Sequence, residues 1–256
     1  MPRRRGEIGG DYYNTGARYF RVVCRSGLAV AGKVKGQTLR QLISTCLGLF
    51  LAVVLVSGSA VGKKFDSANG KYLGAEFTVS NEGYRPDVAE LKDGGFVVIW
   101  RADFPFGVKA QRYDSDGVKV GDQIEVIKES QELMHPVVAG LTTGGFVVAY
   151  EYDDGSGLGV YVQLYAKDGT RSGKPTRANT YRLNDQVHPT VTGLKNGNFV
   201  VLWSSRDQDS AHTAIVGQLF SKSGELDGPE FRVDTAYPTS SHENPNVSAL
   251  CTACPS

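Results

Sequence analysis

Pro86-Asp-Val-Ala-Glu-Leu91 is followed by Lys92-Asp-Gly-Gly95 and then by Phe96-Val-Val-Ile-Trp100. Two short runs rich in β-branched, aliphatic and aromatic residues flank an Asp-Gly-Gly turn, which is the composition of a β-hairpin. The second run is apolar at every position, so a strand made from it must be covered on both faces. The phrase returns at Pro136-Val-Val-Ala-Gly-Leu141 with Gly145-Phe-Val-Val-Ala-Tyr150. It returns again at Pro189-Thr-Val-Thr-Gly-Leu194 with Asn198-Phe-Val-Val-Leu-Trp203, and in part at Pro245-Asn-Val-Ser-Ala-Leu250. The prolines stand 50, 53 and 56 residues apart, a period that marks a repeat architecture.

Each copy continues alike. A third strand ends in Ala110-Gln-Arg-Tyr113, Val162-Gln-Leu-Tyr165 or Gly217-Gln-Leu-Phe220. A glycine turn then leads through Gly121, Gly173 or Gly228 to a fourth strand, which carries Ile124 with Val126, Thr176 with Ala178, or Phe231 with Val233; Phe77 with Val79 is the first copy of it. No helical period of useful length follows residue 62. The expectation is an all-β, β-propeller-like array of four-stranded blades. Three units are full (74–120, 121–172, 173–227) and one is partial (228–250), with a linker at 63–73 and an irregular tail at 251–256. After Leu250 the pattern asks for Asp-Gly-Gly-Phe and meets Cys-Thr-Ala-Cys-Pro-Ser, which reads as a chain interrupted within a blade.

The consensus in Gly74-Ala-Glu-Phe-Thr-Val79 and Pro86–Trp100 resembles the tandem propeller-type repeats of large bacterial secreted and surface proteins, adhesin-like and calcium-binding RTX-type proteins among them. That resemblance covers residues 74–250. It implies a propeller-like fold on the cell surface and leaves activity open.

The formal net charge of +1 conceals a split. Residues 1–64 hold eleven basic and two acidic residues, so the remainder is net acidic. Gln41 to Gly62 carries no charge. This predicts a flexible basic segment (1–40) and a transmembrane signal-anchor helix or signal peptide (41–62). A membrane partner engages it there, and residues 65–256 are extracytoplasmic or secreted. The near-neutral balance excludes a chain-wide nucleic-acid binder.

Loop lengths point to a working face. From Leu91, Leu141 and Leu194 to the next Phe the distance is always 5, and from Tyr113, Tyr165 and Phe220 to the next strand it is always 11. The connections before each proline vary (7, 10, 11, 12), as do those from the Phe to the Gln (15, 17, 19). In an up-and-down sheet these two share one end, and insertions collect on binding faces. The candidate ligand-binding residues there are Phe104, Phe106, Tyr152, Asp153, Asp154, Arg206, Asp207 and Asp209, facing a carbohydrate or a protein.

Catalytic signals are sparse. No nucleophile elbow, Walker loop or zincin motif occurs. The reading is a non-enzymatic surface or secreted protein with a binding or adhesion role. A fragment of a larger surface protein and a propeller-type glycosidase or lyase are the alternatives, and clustered carboxylates at the axis would distinguish the latter. No cofactor and no metal site is expected, with calcium at Asp114-Ser-Asp-Gly117, Asp153-Asp-Gly155 or Asp168-Gly169 as a secondary reading beside plain turn chemistry. His135 and His188 precede the repeat's proline where Arg85 and Asn244 stand in other copies, and repeat position accounts for them. Gln111, Gln163 and Gln218 are read as satisfying backbone between strands. Cys251 and Cys254 form one unmatched pair, which does not make a zinc site. Unfinished sheet edges predict self-association.

Overall fold

The computed structural model describes the backbone of five N-terminal strands within residues 18–78. It also describes residues 78–249 apart from 82, 104, 129–134, 154, 209–212 and 236–240. The first five strands are β1 (Arg18–Val23), β2 (Ala29–Val34), β3 (Leu49–Val56), β4 (Ser59–Asp66) and β5 (Lys71–Thr78). They form one sheet in the order β2-β1-β3-β4-β5.

The expected membrane helix at 41–62 is not what forms. Leu49–Val56 pairs antiparallel with Ser59–Asp66, from Leu49↔Asp66 to Val56↔Ser59. Among the described residues no helix is long and apolar enough to cross a membrane. Residues 41–48, 57 and 58, and most of the basic segment, lie outside the described residues. The physical reason is in the run's content: Val53, Val54, Val56 and Val61 are β-branched, and such side chains pack better on a pleated strand than along a helix.

Three four-stranded antiparallel sheets follow. The first is β6 (Tyr84–Glu90), β7 (Phe96–Asp103), β8 (Phe106–Tyr113) and β9 (Lys119–Lys128). The second is β10 (Val137–Gly140), β11 (Phe146–Asp153), β12 (Leu158–Tyr165) and β13 (Arg171–Arg177). The third is β14 (Gln186–Gly193), β15 (Phe199–Arg206), β16 (Thr213–Phe220) and β17 (Phe231–Arg232). Each sheet therefore opens at the proline strand, and the physical blade is displaced by one strand from the repeat as cut in the sequence. Residues 241–249 continue onto the third blade, where Val247 packs on Val200, Leu202 and Ile215.

The apolar strand is covered on both faces, as its composition requires. In β11, Phe146, Val148 and Tyr150 join the core shared with Val97, Ile99 and Val108 of the first blade. Val147 and Ala149, pointing the opposite way, join Val201, Trp203 and Phe220 of the third. The period of two along one strand thus feeds two inter-sheet cores. Burying each Val or Phe in them contributes about 1.5–3 kcal/mol.

The constant connections are identical hairpin turns. Leu91, Leu141 and Leu194 each donate an N–H to the carbonyl four residues on, and Gly94, Gly144 and Gly197 close the turn with φ of 85°, 99° and 92°. That left-handed backbone is why glycine recurs there. Beside the turns, Phe96 stacks on Tyr113, Phe146 on Tyr165 and Phe199 on Phe220, with ring centroids 4.9, 4.7 and 4.8 Å apart. The recurrent glutamines do the backbone work read from the sequence. Gln163 Nε2 donates to the carbonyls of Leu164, Ser172 and Gly173, and Gln111 and Gln218 bridge to Gly121 and Gly228 in the same way. They sit where the pairing of the third and fourth strands slips, at Ala110/Arg112 and Val162/Leu164.

Two stability predictions follow from this geometry. Gln163→Leu leaves three carbonyls without their donor and lowers stability by about 1–3 kcal/mol. Gly145→Ala drives a Cβ into the main-chain carbonyl of Tyr165 and costs about 1–3 kcal/mol. Urea unfolding of each variant against the parent chain measures both; an unchanged midpoint would refute the assignment.

Candidate functional site

The strand preceding each turn begins at the opposite end of the blade. Pro86 and Pro189 have no N–H to give the sheet, and the pairing slips beside them, between Tyr84 and Asp87 and between Val187 and Thr190. The residue before the proline absorbs the irregularity. Arg85, His188 and Asn244 have φ of 48°, 56° and 58°. A left-handed backbone at a side chain this large costs on the order of 1 kcal/mol or more, and such strain collects at working sites.

The second strand of each blade ends beside these residues. Glu151, near the end of β11, is 0% exposed. Its Oε1 accepts the backbone N–H of His188 from the next blade at 2.6 Å. The equivalent residue of the third blade, Ser204, accepts the N–H of Asn244 at 3.1 Å through Oγ. The link is thus a repeated one, with a carboxylate in one copy and a hydroxyl in the other.

Glu151 does more than cap an amide. Its Oε2 lies 2.7 Å from His135 Nδ1. The His135 and His188 rings meet edge to face with centroids 4.7 Å apart. One donor atom from each of His135, Glu151 and His188 falls within 4.8 Å of the others. His188 Nδ1 is buried and has no hydrogen-bond partner. Burial, then the neighbouring His135, hold the His188 imidazole below its ordinary basicity; Glu151 and Glu243 oppose this and Arg85 adds to it. Desolvation, reinforced by Arg101 and opposed by Glu151, lowers the affinity of the Arg85 guanidinium for its proton.

The same end carries exposed aromatics. Tyr84, Phe106 and Tyr152 are 54%, 38% and 44% exposed. The Arg101 guanidinium lies 5.9 Å from the ring centroids of both Tyr84 and Phe106. Tyr152 stands edge-on to Tyr161 at 5.9 Å.

Of the residues singled out from the sequence, Phe106 and Tyr152 lie on this end as open rings. Asp153 is exposed and its Oδ1 accepts the N–H of Gly155. Arg206 is paired with Asp185 at 2.8 Å. Asp207 receives the Tyr181 hydroxyl on its carbonyl and Asn184 on its carboxylate. Arg206, at the end of β15, and Asp207 after it are thus both engaged within the protein. Phe104, Asp154 and Asp209 lie outside the described residues. The calcium-like aspartates are turn residues: Asp114 Oδ1 accepts from the N–H of Asp116 and Val118, and Asp168 Oδ1 from the N–H and hydroxyl of Thr170. Both sit at the constant end.

Sequence reasoning passed over Glu151 and set His135 and His188 aside. The available signal was a charged residue closing an apolar strand, at the position held by Arg101 and Ser204 in the other copies. His242, elsewhere in the fold, pairs with Asp234 at 2.8 Å.

No family model and no curated protein matches this chain. Solved structures do. A protein of unknown function from Dyadobacter fermentans superimposes with TM-score 0.51 at 10% identity, over 72% of this chain and 65% of that one. The endo-arabinase of Bacteroides thetaiotaomicron gives 0.46 at 16% identity, over 73% and 77%. TolB from Acinetobacter baumannii gives 0.45 at 10%, over 91% and 66%. At such identities the likeness speaks to fold alone.

A pH dependence follows from His188. Because folding lowers its affinity for protons, the unfolded chain binds more protons than the native one as pH falls through the ordinary imidazole value of about 6.5. Stability therefore declines on acidification through that region, and His188→Gln flattens the decline. Melting temperature recorded across that pH range measures it, and parallel curves for the two chains would count against it.

Proposed function

We propose that this chain is a non-enzymatic binding module of a surface or secreted protein, taking a carbohydrate at the variable-loop end of its blades. The observation that carries the reading is the presence of three exposed aromatic rings at the end of the blades that also holds the His135–Glu151–His188 cluster. Tyr84, Phe106 and Tyr152 offer flat apolar faces for sugar rings, and Arg85 and Arg101 offer donors to hydroxyls. A few convergent polar groups beside aromatic walls is the usual make-up of a small-ligand site.

Binding is favoured over glycoside cleavage by the state of the carboxylate. Cleavage takes two carboxyl groups about 5–9.5 Å apart, one of them free to give a proton. Within the His135–Glu151–His188 cluster Glu151 is the carboxylate, and both its oxygens are engaged, one by His135 and one by the His188 amide.

A panel of immobilised polysaccharides tests the reading. The chain is expected to retain one class, and Phe106→Ala and Tyr152→Ala each to weaken retention by roughly 10-fold, the scale of losing a binding hot spot. Release of reducing sugar from the retained polysaccharide would replace the binding reading with an enzymatic one. Retention indifferent to both substitutions would displace the site.

A further inference from the structure

We propose that His135, Glu151 and His188 form a binding site for a zinc-class divalent cation. The site stands on geometry of its own and does not depend on whether a carbohydrate binds nearby.

Three side chains from three places in the fold converge: His135 just before β10, Glu151 in β11 and His188 in β14. Their donor atoms lie within 4.8 Å of one another, and one pair is already at 2.7 Å. A four-coordinate zinc with bonds of about 2.0–2.2 Å places its ligands roughly 3.4 Å apart. Side-chain rotations on the order of 1 Å therefore close the set. The pair at 2.7 Å opens and the looser atoms draw in.

The independent observation is His188 Nδ1, buried and without a partner. A buried polar atom left unsatisfied costs about 1–3 kcal/mol, and native structures seldom leave one without a reason. A cation on its lone pair supplies one. The backbone strain at His188 is consistent with a residue held where packing alone would not put it.

Ligand chemistry selects the cation. Two imidazole nitrogens and one carboxylate suit zinc and its neighbours, whereas calcium takes six to eight oxygens. Three protein ligands leave a fourth position for water or for an oxygen of a bound molecule. Glu151 is itself fixed by the His188 amide, so one ligand is oriented through another ligand's backbone. Arg85 works against the ion. Its charge acts on both Glu151 and His188, so removing it strengthens binding; a purely structural role for the three residues gives no such sign.

The experiment is titration of the full chain with zinc chloride by calorimetry, after alkylating Cys24, Cys46, Cys251 and Cys254 to exclude thiolate binding. One ion per chain is expected. His135→Ala, Glu151→Gln and His188→Ala should each weaken it by more than roughly 10-fold. Arg85→Ala should tighten it at low salt, and His242→Ala, which breaks the other histidine–carboxylate pair, should leave it unchanged. Where a variant fails to fold, the parent chain decides: zinc should shield His135 and His188, but not His242, from diethyl pyrocarbonate. Absence of binding by the alkylated parent chain, affinity in the three ligand variants equal to the parent's, or modification of His135, His188 and His242 alike with zinc present would each overturn the site.

Discussion

A strand with no polar face cannot lie on the surface of anything. That constraint, set by Phe96–Trp100 and its two copies, organises the molecule. Each such strand needs a sheet on either side, so one blade stabilises only when the next is laid against it. Phe146, Val148 and Tyr150 look one way and Val147 and Ala149 the other, into two different cores. Val79 covers the open side of the first blade, clustered with Val98 and Trp100, and Val247 covers the far side of the third. The burial is directional in sequence: each unit is finished by the one after it.

Stacking of this kind fixes what can meet at the ends. The hairpin turns of the constant end are closed by short glycine-bearing loops and by the same stacked ring pair in every blade, which leaves little room for change. The other end begins with prolines. Because a proline gives no N–H to the ladder, pairing slips there, and the preceding residue is bent into a left-handed backbone in three copies. His188 and Asn244 line up next to the end of the preceding blade's second strand. A structural irregularity repeated around the fold thereby becomes a polar cluster, differing in identity from copy to copy.

Glu151 shows how one position serves two ends. As an acceptor for the His188 amide it does what Ser204 does for Asn244. As a buried carboxyl group beside two imidazoles it brings a metal-ligating oxygen where its counterpart brings a hydroxyl. Arg101, the third member of this set, turns to the aromatic rings of Tyr84 and Phe106 instead. The repeat supplies the framework and substitution within it supplies the chemistry.

Much of the framework was legible in the amino-acid sequence. Apolar alternation, turn glycines and the 50-residue period are local signals, and hairpins are made of neighbours in sequence. The role of Gln163 was readable because the same amide recurs beside the same glycine. The run at 41–62 was misread because an apolar stretch without period suits a helix and a buried strand alike, and only pairing with Ser59–Asp66 separates them. The complete cluster belonged to tertiary structure. His135 and Glu151 face each other across the β10–β11 hairpin, in the register continued from Val137↔Ala149, but His188 stands 37 residues from Glu151 in the next blade, and no spacing rule joins it to them. It meets them because packing sheet on sheet carries the start of one blade onto the end of a strand in the blade before it.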